Sequence, residues 1–323
     1  IIGSTLSLGT ALSVTSIPLI IYTTYKIDPR NYLQRFVKLI FYIALISIIL
    51  FTIIRLFGFN SFSGIFPHLY TSFYREGQVY SYGGFLYRFV TLHSDRNCGP
   101  FGEPGQYQCV LAVALYFTLF RPLLFKEKER MLYMIVFFFA LITTLSTSGY
   151  ISLSILIFCF LLHSSKATNK RMKKIYIAMI IGTVFFMSTT ELGSEFLNTV
   201  VFHKIYANGQ LDFSLSSGGA RTISISSVLS TIYHHPITLV GVGYDELRNM
   251  GVEGCAGFLF LLLAIGIMPF SILFGFCFYQ VFKYNKGIWD IIVRILLVIN
   301  MGLGQPHIIN FALFTMMLYP YFI

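Results

Sequence analysis

The chain has 323 residues, of which 56% are hydrophobic, 17% aromatic and only 11% charged, with a mean hydropathy of +0.73. Soluble domains carry roughly a quarter charged residues, and one soluble core of this length cannot bury so large an apolar fraction. A soluble enzyme is therefore excluded, and 34 Phe with 21 Tyr exclude a disordered or fibrous chain. The net charge of +10 is not a nucleic-acid signal, because the basic residues lie almost wholly between apolar runs.

Those runs are about 17–25 residues long, the length that crosses a ~30 Å hydrocarbon layer. In chain order the expected spans are about 3–24, 36–57, 107–125, 131–147, 150–163, 175–190, 256–281, 288–303 and 307–323. The short run 150–163 suits a tight hairpin with the one before it. One set of connections holds Lys26, Arg30, Arg35 and Lys38, then Arg121, Lys126, Lys128 and Arg130. It continues with Lys166, Lys170, Arg171, Lys173 and Lys174, then Lys283, Lys286 and Arg294. The opposite set carries only Arg75, Arg88, Arg96, Lys204, Arg221 and Arg248, spread over far more residues. The positive-inside rule makes the first set cytoplasmic, and the spans alternate without contradiction. The expectation is an all-α integral membrane protein, a polytopic bundle of about nine spans in one domain over 1–323. No signal peptide is visible. The chain opens on Ile1-Ile2 and stops inside an apolar run, so it reads as a piece truncated at one or both ends.

Two long connections, about 58–106 and 191–255, then face outside. The Phe-, Tyr- and Gly-rich stretches Phe57 to Phe66 and Tyr80 to Phe89 suit interfacial or re-entrant segments. The first loop ends Arg96-Asn97-Cys98-Gly99-Pro100-Phe101-Gly102-Glu103-Pro104-Gly105, a preset backbone carrying one cation and one carboxylate directly before a span. That pair suits either phosphate binding with proton transfer or a surface ion pair on a structural turn. The second loop holds Ser217 and Arg221 at the start of an expected amphipathic helix, Ser224 to Tyr233, stopped by Pro236. A helix N-terminus with a guanidinium cradles an anion, although lipid headgroups are an equal partner for Arg221. Then come His234-His235-Pro236 and Gly241-Val242-Gly243-Tyr244-Asp245-Glu246. Between two spans, Ser146-Thr147-Ser148-Gly149-Tyr150 offers hydroxyls to a sugar or phosphate, or caps two helix ends.

Several chemistries are excluded. There is no phosphate-binding G-x-x-x-x-G-K-[ST] loop, no helical zinc pair and no G-x-S-x-G nucleophile turn. Cys98, Cys109, Cys159, Cys255 and Cys277 form no metal-like spacing, so no metal and no cofactor is expected. Cys159 and Cys277 read as packing residues, whereas a disulfide among Cys98, Cys109 and Cys255 stays open.

At this point the residues resemble a known family. Arg96, Gly99, Phe101, Glu103, Pro104 and Gly105 before a span look like the R-x-x-G-x-F-x-E-P-G segment of bacterial polysaccharide repeat-unit polymerases, in the O-antigen polymerase/ligase superfamily. Leu145 to Tyr150 resembles their short outside hairpin. Arg221, a helix, His235-Pro236 and Gly241-Val242-Gly243 resemble the large outside loop shared with O-antigen ligases. The likeness covers roughly residues 96–270.

The resemblance implies a multi-pass glycosyltransferase of the GT-C type in the bacterial cytoplasmic membrane. Its substrate is an oligosaccharide on undecaprenyl diphosphate, and its product is a capsular, O-antigen or exopolysaccharide chain of the cell envelope. It implies membrane lipid, a flippase and a chain-length regulator as partners, with no nucleic acid. Arg96 and Arg221 are then the diphosphate-binding candidates, with Arg88 and Arg248 in reserve, while Tyr150, Ser148 and Tyr244 contact sugar. The base is open between Glu103, His235 and Glu253. Many relatives carry a His shortly after the Gly-Val-Gly segment, and Cys255-Ala256 stand near that position here. The alternatives are a ligase with another acceptor and a lipid-linked oligosaccharide transporter. A transporter calls for mid-membrane polar groups and related halves.

Overall fold

In a computed structural model the chain is mostly helical, with two small antiparallel sheets among the described residues. The structure describes residues 8–61, 68–70, 80–83, 86–163, 167–191, 206–207, 210–211, 226, 230, 233, 241–249, 257–284, 287–304 and 311–318. The chain divides into two units. One comprises Ile17–Phe160, Tyr284–Met301 and Ile309–Ile323, and the other Ile1–Ser16, Leu161–Lys283 and Gly302–Ile308.

The expected runs coincide with helices. They are α1 (Leu8–Ile27), α2 (Tyr32–Phe57), α3 (Pro104–Phe120), α4 (Glu127–Thr143), α5 (Thr147–His163) and α6 (Ala167–Thr189). After the short α7 (Tyr244–Asn249) follow α8 (Gly257–Ile265), α9 (Ile267–Tyr284), α10 (Ile288–Gly304) and α11 (Phe311–Leu318). The run at 256–281 is thus two helices, parted at Gly266, whose φ of +82° an ordinary residue rarely adopts. Among the described residues one helix, α2, is long and apolar enough to cross a membrane. Shorter apolar helical stretches are Thr147–His163 and Ile267–Lys283.

In the first unit α3 is the core. From Tyr107 to Phe120 every residue is buried, with no polar face, as expected for a helix surrounded by others. It packs against α2, α4 and α11. On α2 the inward stripe Leu33, Phe36, Val37, Ile40, Phe41 and Ala44 keeps helical spacing. Its outward residues Leu39, Tyr42 and Ile49 are apolar too, unlike the polar outer face of a soluble helix. In α5 the small residues Ser148, Gly149 and Ser152 point inward while Ile151, Phe158 and Leu162 are exposed.

The first long loop departs from expectation. Its stretches do not form re-entrant segments among the described residues. β1 (His68–Tyr70), β2 (Tyr80–Gly83) and β3 (Arg88–Val90) form a three-stranded antiparallel sheet in order β1-β2-β3. The register pairs Tyr82 with Phe89 and Gly83 with Arg88. Alternation explains why these aromatic segments extend: Tyr87 and Phe89 join Ile54 of α2 in an apolar cluster. Phe59 stacks on Phe89 at 4.0 Å between ring centroids. In the second long loop β4 (Tyr206–Ala207) pairs with β5 (Gln210–Leu211). Ser226, Ser230 and Tyr233 of the expected amphipathic helix are helical and exposed, and Pro236 lies outside the described residues.

Candidate functional site

The Arg96–Glu103 loop is held from three sides in the unit that contains α3. Asn97 is fully buried and is the hub. Its amide nitrogen Nδ2 donates to Ser47 Oγ of α2 at 3.2 Å and to Thr143 Oγ1 of α4 at 3.0 Å. Its backbone N–H donates to the Thr143 carbonyl at 2.9 Å, and its Oδ1 accepts from the Gly99 N–H at 3.0 Å. Ser47 Oγ lies 2.7 Å from the Tyr107 hydroxyl, which joins α3 to the same network. Gly99 is required: its φ is +52°, and an added Cβ would fall 2.8 Å from the Tyr107 ring. Phe101 stacks on that ring at 5.7 Å. Such saturation of a buried amide fixes a loop backbone, because any shift leaves costly unpaired groups.

Arg96 donates through Nε to the Thr144 carbonyl at 3.1 Å, at the end of α4. Burial pulls its pKa below the ordinary arginine value, and Cys98, Asp95, Tyr150 and Glu103 work in the opposite direction. It stays a cation regardless. Glu103 is the residue before α3, extended at φ −134°, and its carboxylate does not cap that helix. Arg88 is half-buried on β3, and its backbone N–H donates to the Gly99 carbonyl at 2.7 Å. Burial pushes the Tyr87 phenol up, and the Cys98 thiol up to about 12. Cys98 and Cys109 are free thiols, so no disulfide joins those two, and Cys255 lies outside the described residues.

The two hydroxyl candidates here are turned to packing. Tyr150 donates its hydroxyl to the Ile142 carbonyl at 3.1 Å, near the end of α4. Ser148 is fully buried and accepts from Gln108 Nε2 at 3.3 Å. Asn300 of α10 donates to the Ser148 carbonyl and to Ser152 Oγ, each at 2.8 Å. The Tyr150 bond lies at a helix end, whereas the Ser148 and Ser152 bonds join α5 to α3 and α10.

Of the remaining candidates, Arg221, His235 and Glu253 lie outside the described residues, as does the Arg248 side chain on α7. In the second unit Gly241-Val242-Gly243 has a defined structural task. The Val242 and Gly243 N–H groups donate to the Leu263 and Ala264 carbonyls of α8, at 3.0 and 2.9 Å. They satisfy acceptors that a helix end otherwise leaves open. Gly241 permits that approach, since a Cβ there would sit 2.4 Å from the Gly266 nitrogen. Tyr244 follows, its ring stacked on Phe260 at 5.5 Å, and burial pushes its phenol up to about 12.

Sequence reasoning overlooked Asn97 and a buried charge cluster at the other end of α3. Asp290 accepts from the Tyr116 hydroxyl at 2.6 Å and pairs with Arg121 Nη2 at 2.8 Å and Arg294 Nη2 at 3.4 Å. Arg294, counted with the loop cations, is in fact fully buried inside α10 and also donates to the Met316 carbonyl. Its Asp290 partner lies four residues before it within an apolar run, a spacing legible as an ion pair. Arg130 is also buried and closes the Thr118 and Leu119 carbonyls at 2.7 and 2.9 Å. No signal marked Asn97, which reads as an ordinary turn residue. Comparison of the chain with family models, with curated proteins and with solved structures gave no match in any of the three.

Proposed function

We propose that the chain is a multi-pass membrane glycosyltransferase that polymerises undecaprenyl-diphosphate-linked oligosaccharide repeat units on the outer face of the bacterial cytoplasmic membrane. The observation that carries the reading is the clamped Arg96–Glu103 loop. A cation and a carboxylate share a backbone that Asn97 pins to α2 and α4. Preorganised charge of this kind lowers a barrier without reorganisation at the moment of reaction. The membrane part rests on the apolar runs, the charged loops between them, and apolar residues on outward helix faces, such as Leu39, Ile49, Phe158, Ile299 and Leu303.

In the proposed step an acceptor sugar hydroxyl attacks the anomeric carbon of the donor chain. The new C–O bond forms as the bond to the phosphate oxygen breaks, and that electron pair leaves on undecaprenyl diphosphate. The hydroxyl proton passes to Glu103, His235 or Glu253. Arginines of the two long loops, Arg96 and Arg221 first and Arg88 and Arg248 after them, meet the charge on the leaving diphosphate. That charge is larger in the transition state than in the bound substrate, which is why such cations accelerate the step.

The test is complementation of a strain lacking the protein, with surface glycan scored on a gel and membrane abundance checked. Wild type restoring long chains, with Glu103→Ala and Arg221→Ala collapsing them to single repeat units, supports polymerisation. Long chains persisting unattached in the deletion strain would mean a ligase. Repeat units trapped on the cytoplasmic face would mean a transporter.

A further inference from the structure

Among the described residues Leu145 is the one non-glycine with a positive φ, +48°. That left-handed conformation crowds a side chain, and at helix ends it usually falls to glycine or asparagine. Leu145 adopts it while buried, at the corner where α4 ends and α5 begins. A strained residue persists only where its surroundings over-determine it, so this corner calls for an explanation.

The carbonyls around it supply one. A helix end leaves its last C=O groups without partners inside the helix. Here the carbonyls of residues 140–144 are all taken. Thr143 Oγ1 donates to the Ala140 carbonyl at 2.8 Å, and Thr144 Oγ1 to the Leu141 carbonyl at 2.7 Å. The Leu145 N–H and the Tyr150 hydroxyl donate to the Ile142 carbonyl at 3.2 and 3.1 Å. The last two carbonyls face the first long loop. Thr143 accepts from the Asn97 N–H at 2.9 Å, and Thr144 from Arg96 Nε at 3.1 Å. With Leu145 in the right-handed region the helix would continue, and the N–H groups of Thr147 and Ser148 would claim these same two carbonyls. A cation at this helix end also meets the negative end of the dipole. Beyond its Nε, Arg96 makes no hydrogen bond or ion pair among the described residues, so its fork is held at the root and open at the tip.

We propose that Leu145 is a positioning residue: its left-handed corner turns the Thr143 and Thr144 carbonyls over to Asn97 and Arg96, and so sets the direction of the Arg96 fork. Its part in the reaction rests on the glycosyltransferase reading, in which that fork meets the leaving diphosphate.

The experiment separates backbone conformation from burial. Leu145→Ile and Leu145→Met both keep the apolar volume. A β-branched residue resists a positive φ far more than Leu or Met does. The full chain in nanodiscs is followed by amide exchange of residues 96–103, read against α3 in the same molecule. Losing the carbonyl bonds should speed that exchange about 3–10-fold in Leu145→Ile, while Leu145→Met stays within about twofold of wild type. Leu145→Asn gives up the burial but accepts the turn, so its melting midpoint should fall while the loop exchanges as in wild type. In the complementation assay, long-chain glycan per unit of membrane protein should drop about 10–100-fold in Leu145→Ile and not in Leu145→Met.

Equal loop exchange in the Ile and Met variants overturns the proposal, as does faster loop exchange in Leu145→Asn. Loosening in Leu145→Ile with undiminished glycan overturns the positioning role. If Leu145→Ile does not accumulate, Leu145→Asn decides alone: a loop at the wild-type rate supports the corner, and a faster one overturns it. A wild type that restores no long chains sinks the polymerase reading instead, and the exchange contrast then decides the corner by itself.

Discussion

Replacing Asp290 with Asn isolates the charge in the buried cluster, because the two side chains are nearly the same size and no cavity forms. The carboxylate is nearly buried and serves Tyr116, Arg121 and Arg294 together. Without its charge two guanidiniums share a buried site with no counter-ion. At the 2.8 Å separation of Arg121 and Asp290, an effective dielectric near 20 gives a gross attraction of about 6 kcal/mol. Part of this is offset by the cost of desolvating the ions. Breaking a buried pair by removing one partner costs about 3–5 kcal/mol, consistent with that gross figure. At about 1.5 °C per kcal/mol for a chain of this length, the melting midpoint should fall by roughly 4–8 °C. The assay is thermal unfolding of detergent-purified protein, followed by tyrosine fluorescence. Asp290→Asn combined with Arg294→Met removes the surplus cation and should recover a measurable part of the loss, a coupling expected of neighbours in one network. A single variant melting within a degree of wild type would refute the electrostatic account. A double variant losing the full sum of the two singles would point to packing instead.

Gly241→Ala should destabilise by at least about 1–3 kcal/mol, because the new Cβ meets backbone at 2.4 Å that has no side chain to swing aside; a denaturant melt checks it. Asn97→Ala should cost about 1–3 kcal/mol, by orphaning the Gly99 N–H and taking one donor from each of the Ser47 and Thr143 hydroxyls, which keep their own bonds to Ala44 and Ala140. It should also lower long-chain glycan more than membrane abundance, and equal losses of both would sink the positioning argument. Cys98 should resist maleimide at neutral pH until the protein is denatured, being buried with its thiol pushed up to about 12. The linkage sign follows. The folded chain keeps a proton that an unfolded thiol releases near about 8.5. This contribution is therefore complete below that pH and is lost as pH rises towards 12, which an alkaline unfolding titration of Cys98→Ala against wild type would register.

The helices were legible because their signal is local. Apolar runs and helical spacing mark α2 and the all-round burial of α3 within a few turns of chain. Gly266 parting α8 from α9 was lost inside one continuous apolar run, since hydropathy is blind to a positive φ. The sheet at 80–90 was not legible for a related reason: alternating aromatics at an apolar surface suit an interfacial segment and a strand alike. The strand wins because Ile54 offers Tyr87 and Phe89 a shared cluster.

The sequence alone determined which residues are apolar, how far each run extends, and that Arg96 and Glu103 share a short, stiff, glycine-rich loop. Only the tertiary structure decided what the polar residues do. Arg121, Arg130 and Arg294 look alike as loop-flanking cations, yet the first and last grip Asp290 while Arg130 closes the carbonyls of α3. Arg88 and Arg96 also look alike, and one has a carbonyl partner where the other's Nε has none. Hydropathy and period are properties summed along neighbouring residues. A hydrogen bond near 3 Å depends on groups that folding brings together from far along the chain, as it brings Tyr116 to Asp290 across 174 positions.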